Sequence, residues 1–284
     1  MKPAPFHYVR PETLEDALSD LARHPGEARI IAGGQSLVAM MNLRLAHPEL
    51  LVDINGLQEL DYHRVDSDML CIGALARHAA LAASPLVQKV APLMSAAYPH
   101  VAHSAVRNRG TLAGNLCHAD PASEMPAVML ALDARFRARS VKGDREIAAT
   151  DFFLGPYTTA LAEDEMLVEI RVPVRQCGYG FEEVSIRQGD FALTLVAATL
   201  SLQAGRVHAA SIAYAGVEGN ALRIASAEKL LIGEVPSDAL FERVAAEAAN
   251  VIQPGDDMHA DAAYRLDMIR TLTPRALRSA AATA

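Results

Sequence analysis

An apolar run, Ala28-Arg29-Ile30-Ile31-Ala32, ends in Gly33-Gly34-Gln35-Ser36 and passes directly into a helical stretch carrying Leu37, Met40 and Met41. A second apolar run, Leu50-Leu51-Val52-Asp53-Ile54, follows. Strand, glycine loop, helix, strand is a small βαβ unit, and it commits this part of the chain to a parallel strand pair. Paired glycines at such a junction have two readings. They close a tight turn, or they let the backbone approach a ligand so that successive N–H groups cradle a pyrophosphate. The loop is neither a GxGxxG nor a P-loop ending in Gly-Lys-Ser/Thr. A second loop, Thr111-Leu112-Ala113-Gly114-Asn115, offers another close-approach glycine with a hydroxyl and an amide. Two such loops, each beside a short strand, point together to an extended ligand with a central diphosphate held from two sides.

The rest of the chain alternates helical and extended patterns. Leu14, Ala17, Leu18, Leu21 and Ala22 give a first amphipathic helix. Thr13 and Asp16 form a capping-box-like start and Pro25-Gly26 a stop. Short strands are expected from Leu60 to Gly73, and helix from Arg77 to Val101, broken at Pro85, Pro92 and Pro99. Val106 to Pro126 is dominated by small residues and turn formers, with a helix expected from Ser123 or Glu124 to Ala131. Strands resume at Arg135–Val141, before a turn at Lys142-Gly143-Asp144. In Glu165–Val172 the residues Met166, Val168, Ile170 and Val172 share one face, and Leu167 is an apolar exception on the polar face. Gln176 to Gly180 is a candidate boundary. Beyond it three antiparallel strands are expected, at about 181–187, 192–202 and 207–215, with Ala204-Gly205 as a tight turn. The remainder reads as helices: one with a stripe of Phe241, Val244, Ala245 and Ala248, one over His259–Thr271, and a third capped by Thr273-Pro274.

Composition removes several function classes. No apolar run approaches the roughly 18 residues of a transmembrane helix. The start, Met1 to His7, has no apolar h-region of a secretory signal. With 26 basic against 34 acidic residues, a net charge of −8 argues against a large nucleic-acid footprint. Cys71, Cys117 and Cys177 are odd in number and scattered, which is neither a disulfide framework nor a zinc motif. They cannot supply the four thiolates of an iron–sulfur cluster. A reduced, cytoplasmic setting is expected. His118, between Cys117 and Asp120, sits too close to both for a tetrahedral metal site, so a lining or packing role is expected. Glu124 either favours the N-terminus of its helix or accepts hydrogen bonds from ribose hydroxyls. Arg187-Gln188-Gly189-Asp190-Phe191 is either a turn with a buried ring or a loop presenting an aromatic to a flat ligand. No arrangement of a hydrolase stands out, and no residue of this chain is nominated as catalytic or as a metal ligand.

Five motifs in order carry a resemblance over nearly the whole chain: Pro5 to Pro11, Ala32 to Leu37, Thr111 to Pro121, Arg187 to Ala192 and Asp257 to Arg265. The chain resembles the FAD-binding medium subunits of molybdenum hydroxylases of the carbon monoxide dehydrogenase and xanthine dehydrogenase type. The resemblance implies an α+β fold: a two-subdomain FAD-binding region of the vanillyl-alcohol-oxidase type (1–175, divided into 1–57 and 58–175), then a small domain (176–284). That small domain has a three-stranded antiparallel sheet and a helical bundle. It implies FAD contacts at Ile30, Ile31, Ala32, Gly33, Gly34, Gln35, Ser36 and Leu37 in the first loop. In the second it implies Gly110, Thr111, Ala113, Gly114 and Asn115. Val101, Ala102 and Val106 fall at cofactor-lining positions, Glu124 at the adenosine ribose, and Leu167 and Phe191 near the flavin. The second loop departs from the family in one respect: Ala113 replaces the first of two glycines. That replacement is tolerated if the position needs only a small residue, and strained if it needs positive φ.

The resemblance further implies partners. A large chain with molybdenum and molybdopterin hydroxylates the substrate, and a small chain with two [2Fe–2S] clusters relays electrons. The expected assembly is a dimer of heterotrimers in which this subunit passes electrons through FAD to an external acceptor. The alternative is a stand-alone FAD-dependent oxidase or reductase of the same cofactor fold.

Overall fold

In a computed structural model describing residues 2–284, the first glycine loop sits at the end of a three-stranded parallel sheet. Its strands run His7–Val9, Leu50–Asp53 and Ala28–Ile31 in spatial order, with Ile30 opposite Val52. The βαβ unit expected around Gly33-Gly34 is present, its helix spanning Leu37–Asn42. The first helix, Leu14–Arg23, buries Leu14, Ala17, Leu18 and Leu21, and the Thr13 hydroxyl accepts from the Asp16 amide as the motif implied.

A second sheet has five antiparallel strands in the order His63–Asp66, Met69–Gly73, Met166–Pro173, Arg135–Ser140, Gly143–Ala148. Prolines segment the helical stretch before the second loop into His78–Ala83, Pro85–Val90 and Pro92–Ala97. The turn-rich stretch from Val106 onward is more ordered than its composition suggests. It holds the short helices Ser104–Arg109 and Leu112–His118, the latter ending on Ala119 in the left-handed region (φ 50°).

The third sheet is antiparallel: Gly178–Ser185, Ala192–Gln203, Arg206–Ala215 and a two-residue edge strand, Leu222–Arg223. The three expected strands are there; the fourth was too short to leave a sequence pattern. Ala204 and Gly205 both have positive φ, matching the tight turn. Helix Glu124–Ala131 is buried at every residue and packs against this sheet, which explains its unbroken apolarity.

One expectation is corrected. The helices read as His259–Thr271 and a third from Pro274 are a single helix, Ala262–Thr283, capped by Asp261. Pro274 lies inside it, where a proline removes a backbone donor at a cost of ~3 kcal/mol. Burial of Leu272, Thr273, Pro274, Ala276, Leu277 and Ala280 offsets that cost. Contact is close at Gly178 and Gly180, where a Cβ would strike the backbone of Ala280 and Ala276.

Candidate functional site

The parallel sheet, the five-stranded sheet and the third sheet enclose one cleft of about 1750 Å³. Every residue nominated from sequence lines it: Ile30 through Leu37, Val101, Ala102, Val106, Gly110, Thr111, Ala113, Gly114, Asn115, Glu124, Leu167 and Phe191.

The first loop has the features of a cradle. Gly34 has φ 70°, open to glycine at little cost. Gly33 packs directly on the second loop; a Cβ there would collide with the Arg109 carbonyl and lie 2.7 Å from Gly110 Cα. Among the described residues, the amides of Gly33, Gly34, Gln35, Ser36 and Leu37 find no protein acceptor. Such a run of unpaired N–H groups on a cleft wall suits an anion.

The second loop opens a helix. The Thr111 hydroxyl accepts from the Gly114 amide at 3.0 Å. Asn115 Nδ2 donates to Ser123 Oγ at 2.8 Å, fixing the amide. Ala113 lies in helix Leu112–His118, is buried, and is not among the positive-φ residues. The position therefore requires smallness rather than left-handed backbone. Left-handed backbone falls instead at Ala119, which ends this helix, and at Ala102 (φ 44°), pinned by Arg107 Nη1 donating to the Val101 and Ala102 carbonyls.

Leu167 owes its position to a break in strand register. Leu167 pairs with Ala138 and Glu169 with Arg137, so two steps on one strand match one on the other. This bulge resets the alternation and turns Leu167 to the cleft, where it is buried. Phe191, 60% exposed, stands on the loop joining two strands of the third sheet, so the buried-ring reading of that turn is wrong.

Several lining residues were not nominated. Asp120 accepts from the Tyr157 hydroxyl at 3.2 Å and from the Ala122 amide, and the His118 ring packs on Tyr157 at 5.1 Å. Burial pushes the His118 imidazole below its usual range. His78 is buried behind the second loop and pushed down to about 4 by burial and then by Arg107. Arg265 donates to the carbonyls of Leu193 and Gly216 and pairs with Asp257 at 2.6 Å, stapling the last helix to the cleft wall. His118 has the lining and packing role expected of it; Asp120, Asp257 and Arg265 lay in motifs in view but were given no role by spacing alone, and His78 and Tyr157 lie in neither motif.

Glu124 is buried, and its carboxyl is pushed up to about 7, first by burial and then by the Glu183 charge.

The chain matches two family models in succession. Residues 4–175 match the FAD binding domain in molybdopterin dehydrogenase, and residues 179–280 the CO dehydrogenase flavoprotein C-terminal domain. It is 38% identical over 284 residues to the caffeine dehydrogenase subunit beta of Pseudomonas sp. (strain CBB1), covering 99% of this chain and 96% of that one. Among solved structures it superposes on quinoline 2-oxidoreductase of Pseudomonas putida 86 with a TM-score of 0.95, 39% identity and 99% of each chain covered. It superposes on a carbon monoxide dehydrogenase of Hydrogenophaga pseudoflava with a TM-score of 0.97, 36% identity and 100% of each chain covered.

Proposed function

The chain belongs to the FAD-binding medium subunits of the molybdenum hydroxylases, and from that premise we propose that the cleft holds FAD along both glycine loops. The observation that carries this reading is the pair of loops. Gly33 is pressed on the second loop's backbone, and five successive amides, Gly33 to Leu37, have no protein acceptor among the described residues. The Gly33–Leu37 amides, with the Thr111–Asn115 turn facing them, would hold the diphosphate. Glu124 accepts from ribose hydroxyls, and Val101, Ala102, Val106, Leu167 and Phe191 supply the apolar walls for the flavin ring.

FAD supplies the redox chemistry, accepting electrons and passing them on; the protein binds, orients and insulates it. This is the electron-transfer component of a heteromeric enzyme. In our reading its partners are a large chain with molybdenum and molybdopterin and a small chain with two [2Fe–2S] clusters, in a dimer of heterotrimers. The N-terminal unit is 1–175 and the C-terminal unit 176–284, a division supported by the spans of the two family matches. We place the complex in the cytoplasm, supported by three free cysteines.

The test is direct. The full chain, purified and mixed with FAD, retains flavin absorbance after gel filtration, whereas Gly114→Leu emerges colourless. Co-expressed with its partners it elutes with a larger molybdenum chain and a small iron–sulfur chain. A colourless wild-type chain, or turnover of an organic substrate by this subunit alone, overturns the assignment.

A further inference from the structure

His78 opens helix His78–Ala83 and is tied to the second loop by its own backbone, its amide donating to the Gly110 carbonyl at 3.0 Å. The residue is only 3% exposed, yet it lines the cleft. Its ring lies against Gly110, where an added Cβ would stand 3.2 Å from His78 Cδ2. The Cδ2–Nε2 edge therefore faces Gly110 and the cleft. The other edge is sealed. Of the two ring nitrogens only Nδ1 is both buried and without a hydrogen-bond partner among the described residues, and the ring packs edge-on against Tyr98 with centres 5.9 Å apart. Packing alone does not call for a histidine here. A buried imidazole nitrogen without a partner costs free energy that a leucine or phenylalanine would not.

We propose that His78 is a further cofactor contact, its Nε2–H donating to an oxygen of the ribityl–phosphate chain of FAD. The proposal rests on the reading of the cleft as the FAD site. The position of Gly110 sets where the donor falls. The two loops meet there, since Gly33 is pressed on Arg109 and Gly110. The turn assigned to the diphosphate begins at the next residue, Thr111, while Val101, Ala102 and Val106, assigned to the flavin wall, precede Gly110 in the chain. His78 thus touches the backbone between the diphosphate cradle and the flavin wall, where the chain joining diphosphate to ring has to cross.

The tautomer follows from the burial of Nδ1. A neutral imidazole carries one N–H and one lone pair. An orphaned buried N–H is rarer in folded proteins than an orphaned acceptor. The lone pair therefore sits on sealed Nδ1 and the proton on Nε2, the nitrogen that faces the cleft. The ring is also uncharged at neutral pH: burial first, then the Arg107 charge, push it down to about 4. Arg107 is itself committed to the Val101 and Ala102 carbonyls. His78 accordingly gives the cofactor a directed donor without adding a charge.

The test uses the full chain, FAD and two variants. His78→Phe keeps a ring and removes the donor, and its FAD affinity falls roughly 10-fold or more in an equilibrium titration. His78→Gln, whose side-chain amide reaches about as far as Nε2, recovers most of that loss. Nitrogen NMR of the imidazoles in the wild type, with the His78 signals identified by their absence from His78→Gln, shows the proton on Nε2. That signal moves when FAD is added, while Nδ1 stays unprotonated. Unchanged affinity in His78→Phe, a proton on Nδ1, or an Nε2 signal that FAD leaves in place overturns the contact. A loss in His78→Gln as large as in His78→Phe assigns the position to ring packing and overturns it too. If His78→Phe does not fold, the wild-type spectra decide. A wild-type chain that retains no flavin would instead overturn the cofactor site itself.

Discussion

Asn55 and Arg77 tie the two glycine loops together beneath the cleft. Arg77 Nη2 donates to Asn55 Oδ1 at 2.6 Å, while its Nη1 donates to the Arg109 carbonyl at the edge of the second loop. Asn55 Nδ2 donates to the Ala32 carbonyl at 2.8 Å at the edge of the first. Asp53 completes the set, accepting from the Asn55 amide and, at 2.5 Å, from the Tyr8 hydroxyl. The spacing of the cradle is thus held from outside it. Asn55→Ala frees both loops and removes a hydrogen bond to a charged group, worth about 1.5–3 kcal/mol. FAD affinity should fall roughly 10- to 100-fold, read by quenching of flavin fluorescence, and the melting temperature of the cofactor-free chain should fall by several degrees. An unchanged affinity would show that the loops hold their own spacing.

The glycines of the two loops should differ in tolerance. At Gly33 an added methyl meets only backbone, the Arg109 carbonyl and Gly110 Cα, so the loops must separate. At Gly34 the obstacle is conformational, a left-handed φ of 70° that costs an L-residue roughly 1–2 kcal/mol. At Gly143 a side chain meets nothing within 4 Å; its φ of 131° strains an L-residue, but that strain falls on a hairpin turn that does not line the cleft. Gly33→Ala should abolish FAD retention, Gly34→Ala weaken it about tenfold, and Gly143→Ala leave it intact. Equilibrium dialysis against FAD ranks them, and equal retention by Gly33→Ala and Gly143→Ala would contradict the close approach.

Both loops and their lining residues were legible because each is a local event: a strand end, small residues, a helix start. The Thr13–Asp16 cap was legible for the same reason. What escaped depends on pairing between distant segments. Leu167 reads as an exception to alternation, and its cause is a bulge visible only against Ala138 and Arg137. Pro274 reads as a helix start, yet Ala262–Thr283 runs through it, because burial against the third sheet outweighs a local propensity. Glu183 gives no sequence signal at all: its side chain is 1% exposed because of what strand Gly178–Ser185 packs against. Asp120 was in view, but its Tyr157 partner lies 37 residues away.

The contribution of Glu124 to the stability of the cofactor-free chain should decline with rising pH through the neutral range, against an opposite contribution from His78, whose imidazole is pushed down to about 4 by burial. Glu124 has an ordinary carboxyl pKa of 4.5 when unfolded and about 7 when folded. Between these values the folded chain binds more protons than the unfolded one, so stability falls as pH rises across that window. Above it, keeping the ionised carboxylate buried costs about 3 kcal/mol. His100 has the same sign, its stabilising imidazolium being lost as pH rises through its raised value. Glu124→Gln should therefore gain about 3 kcal/mol over the wild type at about pH 8 and nothing near pH 4.5. Urea midpoints across the range measure this, and parallel curves for the two proteins would mean that Glu124 does not carry the dependence.

Arg265 should be the most costly single loss in the C-terminal half. It is buried at 6% exposure, donates to the carbonyls of Leu193 and Gly216, and pairs with Asp257 at 2.6 Å. Asp257 is itself held by the amides of Ala260 and His259, which with Arg265 lower its carboxyl below the usual range. Arg265→Met keeps the aliphatic bulk and removes every donor, leaving two carbonyls without a side-chain partner at the junction of the last helix and the third sheet. A loss of about 2–4 kcal/mol is expected from leaving the two carbonyls without their charged donor, since Asp257 itself stays in solvent. Guanidinium unfolding of the cofactor-free chain reads it directly. Because Arg265 also lines the cleft, FAD added in excess should recover part of the loss by mass action. A variant as stable as the wild type would mean that Leu193 and Gly216 find other donors and that the last helix is held by its apolar face alone.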